Sequence, residues 1–305
     1  MGVSLAPGSG ACYRRCVGAL SIRVSQSRSE RGAAVMGVLN VTPDSFYDGG
    51  RYLGADSARA RVDALIEAGA DIIDIGGESS RPGAPKVSTE EQIERIDAAL
   101  SHAVARAQLV SVDTTEPAVA DYALSRGAAC VNDVSCLADG ELARVCARHS
   151  ATLIVMHARG PMQHMAGFSE YPDDAYGDVV EDVLLEWRAA RDRALREGLS
   201  RESVWLDPGI GFAKNARQSF ELLRGLPRLV SEGVPVVVGA SRKSFIASVD
   251  AAPPEARLGG SIAAALSALA RGASVLRVHD VRETRQALLV ARRIERAADR
   301  EVAHA

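Results

Sequence analysis

From residue 35 onward the chain repeats one pattern eight times: a short apolar run, then a longer stretch with helical spacing. The runs are 35–39, 71–75, 109–112, 130–134, 152–156, 204–206, 235–238 and 275–278. They do not alternate apolar with polar residues, so they suit strands buried on both faces, as in a parallel sheet covered by helices. The intervening stretches "SARARVDALIEAGA", "EEQIERIDAALSHAVARA", "YGDVVEDVLLEWRAARDRALREG", "GSIAAALSALARGA" and "VRETRQALLVARRIERAADR" carry apolar residues at helical spacing. "STEE" opens one helix and Gly198 stops another. Strand and helix, eight times over, predict an α/β fold: a parallel eight-stranded (β/α)8 TIM barrel. The rival is an open doubly wound sheet, but no early strand is followed by G-x-G-x-x-G. No composition shift marks a second domain. We therefore divide the chain into an N-terminal extension, 1–34, and a barrel, 35–305.

The extension is rich in Gly, Ser and Arg and has no clean apolar core of a signal peptide. We expect it to be partly disordered, with a short strand such as 19–24 plugging the barrel bottom. No apolar run is long enough for a membrane span. A net charge of −3 sets up no field for nucleic acid or an anionic membrane. The five cysteines fit no zinc spacing; Cys130, Cys136 and Cys146 read as structural thiols of a reducing compartment, and Cys12 and Cys16 as incidental residues of the extension.

In such a barrel the chemistry sits at the C-terminal strand ends. Here those ends carry, in order, Asn40; "GGESSRPGA"; Asp113-Thr114; Asn132-Asp133; Met156-His157; "DPGIGFAKN" from Asp207; "GASRKSF" with Ser241, Arg242 and Lys243; and Arg277 with His279. A cap or loop hydrogen bond accounts for one polar strand end. Eight on one rim imply mutual partners or a ligand. Asp113, Asn132 and Asp207 suit a flat heterocycle with N–H donors, and Lys243 can donate to a ring oxygen or nitrogen. Arg81, Arg242, Arg277 and His279 offer cations. Arg277 and His279 are two apart, so they share one strand face and suit a phosphate or diphosphate. No Ser-His-Asp order is evident and no two histidines have metal spacing. A metal would enter on substrate phosphates, with Asn40 as a weak ligand.

The motifs "MGVLNVTPDSFYDGG", "DIIDIGGESSRPGA", "SVDT", "VNDVS", "VMH", "DPGIGFAKN", "VGASRKSF" and "LRVHDVRET" together resemble the successive motifs of dihydropteroate synthases. That resemblance implies a transferase of folate biosynthesis. It joins 7,8-dihydropterin-6-ylmethyl diphosphate to 4-aminobenzoate, using Mg²⁺, in a cytoplasmic homodimer targeted by sulfonamides. It implies that Asp113, Asn132, Asp207 and Lys243 hold the pterin, with Met156 and Phe212 lining its pocket. Asn40 (with Mg²⁺), Arg277 and His279 would hold the diphosphate. Ser80, Arg81, Pro82 and Ser241 would frame the aminobenzoate, and Phe46 would cover it from a mobile first loop that also carries Asp44. The catalytic set is then Asp113, Lys243, Arg277 and His279.

The chain departs from the family at Ser80, where Thr is usual, at Glu116, where a basic residue is common, and at Pro161, displaced by one position. A methyltetrahydrofolate:corrinoid methyltransferase barrel would share Asp113, Asn132 and Asp207 but not need Arg277, His279 or "SSRP". A non-catalytic pterin-binding paralogue would have lost Lys243, Arg81 or the first-loop residues.

Overall fold

The computed structural model describes residues 10–41, 51–79, 86–106, 108–160 and 170–302. Eight parallel strands form one sheet: β1 (Ala34–Asn40), β2 (Ile72–Gly76), β3 (Leu109–Asp113), β4 (Cys130–Asp133), β5 (Thr152–Met156), β6 (Val204–Asp207), β7 (Val237–Val238) and β8 (Val275–Val278). Their order is β6-β5-β4-β3-β2-β1-β8-β7, and a bridge between Leu206 and Val236 closes the ring. The helices are α1 (Gly10–Arg31), α2 (Arg51–Ala68), α3 (Thr89–Ala105), α4 (Pro117–Ser125), α5 (Gly140–Arg148), α6 (Val179–Arg196), α7 (Ala216–Arg224), α8 (Leu226–Val230), α9 (Ser244–Ala247), α10 (Leu258–Ala270) and α11 (Val281–Val302). Helix starts follow local chemistry. Ser88 Oγ accepts from Glu91 N (3.2 Å) at α3, and Asn215 and Gln218 form a reciprocal capping box at α7. Glu116 stands at the start of α4, where its charge suits the helix dipole, and it pairs with Lys86 (2.8 Å).

Strand parity sorts the side chains. Val35, Ile73, Ile75, Val110, Val112, Val131, Val155 and Leu206 face outward, in one core with the helices. Ala34, Met36, Ile72, Cys130, Ile154, Trp205, Val237 and Val275 face inward and fill the bottom of the barrel. Two residues further along β2, β4, β6 and β8 the inward positions change character: Asp74, Asn132, Asp207 and Arg277 replace hydrocarbon. The barrel thus has an apolar bottom and a charged layer above it.

The expected strand at 19–24 is instead part of α1. Leu20, Val24, Ser27 and Arg31 are buried, and Leu20 and Val24 join the inward apolar cluster. Spacing of four satisfies both strand and helix. The continuation at i+7 and i+11 satisfies only the helix. The polar end of that stripe is fixed by Asp71, which accepts from Ser27 Oγ (2.8 Å), from Val35 N (2.8 Å) and from Arg31.

Candidate active site

β2, β3, β4, β6 and β8 project Asp74, Asp113, Asn132, Asp207 and Arg277 into the upper barrel, and the loop after β7 adds Lys243. Arg277 bridges two carboxylates: its Nε donates to Asp74 Oδ2 (2.7 Å) and its Nη2 to Asp113 Oδ2 (2.7 Å). Asn132 Nδ2 also donates to Asp74 Oδ2 (3.1 Å). Asp207 Oδ1 accepts from Gly209 N (2.7 Å). Lys243 donates to the Ile210 carbonyl, with its ammonium 4.0 Å from the centre of the Phe212 ring. Phe212 packs with Met156 and Ala158, forming an apolar wall beside the polar layer.

Burial sets the charges. It pushes the Asp113 carboxyl up to about 7; Arg277 opposes that, while Asp74, Asp133 and Asp207 add to it. Asp207 is also raised by burial, with Lys243 opposing. Burial draws Lys243 down to about 7 against the pull of Asp207. Arg277 loses solvation too, but Asp74 and Asp113 outweigh that and hold it charged. Asp113 and Lys243 therefore both exchange protons near neutrality, a common property of catalytic groups.

His279 differs from the sequence expectation of a second cation. Burial and the neighbouring Arg277 lower it to about 4, so it is neutral at pH 7. Ser241 Oγ accepts from His279 N (3.3 Å) and lies 3.1 Å from Nδ1. Its hydroxyl can donate to Nδ1, which leaves the Nε2 proton as the donor. Arg242 is not a rim cation available to ligand either. It is tied to Asp280, with Nε–Oδ2 at 3.0 Å, and its backbone φ is 61°. Asp133 points away from Asn132 and binds the next turn through Ser135 N (3.0 Å) and Leu137 N (2.5 Å).

Asn40 stands exposed at the end of β1, in register with Gly76 and, through it, with Asp113. A side chain on Gly76 would begin 3.4 Å from Asp113 Cβ and 3.6 Å from Asn40 Oδ1. The bare glycine keeps the passage between them open. No group of three or more His, Cys, Asp or Glu residues among the described residues could hold a metal. The Asn40 amide oxygen at the mouth suits an ion that arrives on phosphate oxygens. Asp44, Phe46, Ser80, Arg81, Pro82 and Pro161 lie outside the described residues.

Two buried charges have no clear mark in the sequence. Asp74 is fully buried inside an apolar strand, and only its shared parity with the inward Ile72 signals it. Lys214 is also fully buried: its Nζ donates to His157 Nδ1 (2.9 Å) and to Phe212 O (2.9 Å), and His157 Nε2 donates to Glu186 Oε2 (3.0 Å). This chain of bonds supports the loop after β6 from beneath. That loop also needs Gly209, with φ of 65°, because a Cβ there would collide with the His157 carbonyl oxygen.

The layer can do three things chemically. Its carboxylates accept hydrogen bonds from a flat ligand edge. Lys243 and Arg277 supply donors from the other side. Asp113 sits where positive charge on a ligand would be stabilised.

Known proteins share this arrangement of chain. The sequence model of the family described as "Pterin binding enzyme" matches residues 36–279. The dihydropteroate synthase of Synechocystis is 43% identical over 262 residues, covering 84% of this chain and 88% of that protein. The Xanthomonas albilineans dihydropteroate synthase, solved with 4-aminobenzoic acid, is 40% identical with a TM-score of 0.79, over 86% of this chain and 93% of that one. The same enzyme in complex with 7,8-dihydropteroate superposes with a TM-score of 0.76 at 37% identity, over 86% of this chain and 94% of that one. With a family match over residues 36–279 and relatives aligned over nearly their full length, this chain belongs to the pterin-binding enzymes and, among them, to the dihydropteroate synthase family.

Proposed function

We propose that the chain joins 7,8-dihydropterin-6-ylmethyl diphosphate to 4-aminobenzoate, giving 7,8-dihydropteroate and diphosphate. The observation that carries this reading is the layer of partly buried Asp113 and buried Asn132 and Asp207 facing Lys243 and Arg277. An aminopyrimidinone edge presents several N–H donors beside a carbonyl. Carboxylates and an amide match the donors, and Lys243 matches the carbonyl or a ring nitrogen. Met156 and Phe212 supply the apolar wall for the ring.

The bond from the pterin methylene to the diphosphate oxygen breaks first, and the electron pair leaves with diphosphate. Arg277 and the Nε2 proton of His279 face the leaving group from β8 and its end. Asn40 would offer its amide oxygen to a magnesium ion brought in with the diphosphate, and such an ion would supply further charge neutralisation. The pterin cation spreads its charge into the ring, where ionised Asp113 stabilises it without forming a bond. The aniline nitrogen then contributes its lone pair to the new C–N bond. The resulting anilinium is acidic enough to give its proton to water, so no strong base is needed.

By family resemblance, Ser80, Arg81, Pro82, Ser241 and Phe46 frame and cover the aminobenzoate. The same resemblance supports reading the enzyme as a cytoplasmic homodimer. In the described residues no helix is long and apolar enough to cross a membrane. The test is a diphosphate-release assay. Release that requires both substrates supports the reading. Tight pterin binding by calorimetry without release would overturn it.

A further inference from the structure

Asp74 has no place in the chemistry above, yet it touches two residues that do. Its side chain is fully buried, so it acts on its neighbours rather than on solvent. Its Oδ2 accepts from Asn132 Nδ2 (3.1 Å) and from Arg277 Nε (2.7 Å). We propose that Asp74 is a positioning residue that turns the Asn132 amide oxygen toward the pterin and fixes the plane of the Arg277 guanidinium against Asp113. This rests on the pterin-synthase reading and deepens it.

Asp74 Oδ2 accepts from both Asn132 Nδ2 and Arg277 Nε, so the Asn132 NH₂ faces Asp74 and its carbonyl oxygen faces away. That leaves Asn132 as a third acceptor beside Asp113 and Asp207. A 180° turn of the amide would aim an N–H donor at a ligand N–H instead. A site built for hydrogen bonds discriminates strongly against such a mismatch, because buried groups are left unpaired. Asn132 cannot choose its own sense by packing, since O and N have nearly the same shape. The choice comes from Asp74.

The guanidinium is fixed by the same carboxylate. Arg277 spends Nε on Asp74 and Nη2 on Asp113 (2.7 Å), so two carboxylates on β2 and β3 define one plane. Asp113 feels the charges of Arg277 on β8, Asp74 on β2, Asp207 on β6 and, from the outward side of β4, Asp133. Removing the charge at Asp74 removes one repulsion and frees Arg277 to serve Asp113 alone. Both changes favour the ionised form of Asp113.

The experiment compares wild type, Asp74→Asn and Asp74→Glu across about pH 5–9, the range spanning both limbs of the profile. It measures kcat/KM and the separate KM values for pterin diphosphate and aminobenzoate, with calorimetric binding of 6-hydroxymethylpterin alongside. In Asp74→Asn we expect the acid limb of kcat/KM to move down by about one pH unit. We expect KM for pterin diphosphate to rise roughly tenfold or more, with that for aminobenzoate unchanged. Asp74→Glu keeps the charge, so its acid limb stays with wild type while pterin KM rises. An unmoved acid limb in Asp74→Asn, or an equal rise in both KM values, would overturn the proposal. If Asp74→Asn does not fold, Asp74→Glu decides: unchanged pterin KM overturns the positioning role. If wild type forms no dihydropteroate, the synthase reading fails separately. Calorimetry then judges Asp74: weaker pterin binding in Asp74→Asn supports the role, and equal binding ends it.

Discussion

At the scale of single residues, buried charge decides what the site can do. Asp113→Asn keeps a hydrogen bond to Arg277 but loses the counter-charge to the pterin cation. We expect kcat to fall roughly 10²-fold while the urea unfolding midpoint holds. Wild-type turnover in that variant would refute the role. Arg277→Ala behaves differently, because it strands Asp74 as a buried carboxylate without its cation. We expect a loss of about 3–5 kcal/mol in denaturant unfolding. Its part in diphosphate binding is better read in Arg277→Lys, which keeps a charge but not the planar fork. That variant should bind pterin diphosphate more weakly while binding of the bare pterin changes less, as calorimetry can show. Asp113, Asn132, Asp207 and Arg277 stood out in sequence because a polar group at or near the end of a buried apolar strand must find a partner beyond that strand, and Lys243 because it stands in the loop that follows one. Asp74 and Lys214 did not. A carboxylate two residues from a strand end, or a lysine in a polar loop, looks solvated until parity or packing shows that it is buried. The neutrality of His279 was also illegible, since it depends on burial beside Arg277.

At the scale of elements, α1 acts as the floor of the barrel. Leu20 and Val24 meet Met36, Ile72 and Trp205 there. Leu20→Ala should cost about 2–3 kcal/mol in urea unfolding with unchanged KM values, because the floor is separated from the ligand by the apolar layer. A changed KM with unchanged stability would contradict that separation. The loop after β6 is held more tightly. Gly209→Ala must fit a Cβ against the His157 carbonyl in a left-handed backbone, and we expect a loss of about 3 kcal/mol by the same measurement. The strand expected at 19–24 failed because spacing of four does not separate the two periods. The run 235–238 also overstated its strand: β7 covers only Val237–Val238. Pro235 has no N–H to donate, and its carbonyl instead accepts from Leu206 N (3.1 Å), so the ladder narrows where the barrel closes.

At the scale of the whole molecule, eight strand–helix units sufficed to read the barrel, because parallel strands buried on both faces need helices outside and a closed ring within. What the repeat did not disclose is the layering, apolar below and charged above, which depends on the register between strands. That layering has a consequence for pH. In the proposed mechanism Asp113 acts in its ionised form, and it is raised to about 7, so activity should fall on the acid side. In the same mechanism Lys243 donates as the ammonium, and it is lowered to about 7, so activity should fall on the alkaline side. We expect a narrow bell in kcat/KM centred near pH 7, measured with both substrates. A flat profile between about pH 6 and 8, one unit either side of neutrality, would count against the buried pair. The central claim is that the charged layer reads a pterin edge. A crystal soaked with pterin diphosphate and 4-aminobenzoate tests it most directly. The expected result is a pterin ring inside the barrel, with its N–H edge within about 3 Å of Asp113, Asn132 and Asp207 and its diphosphate toward Arg277 and His279. A pterin bound elsewhere, or with that edge turned away from the three acceptors, would contradict it.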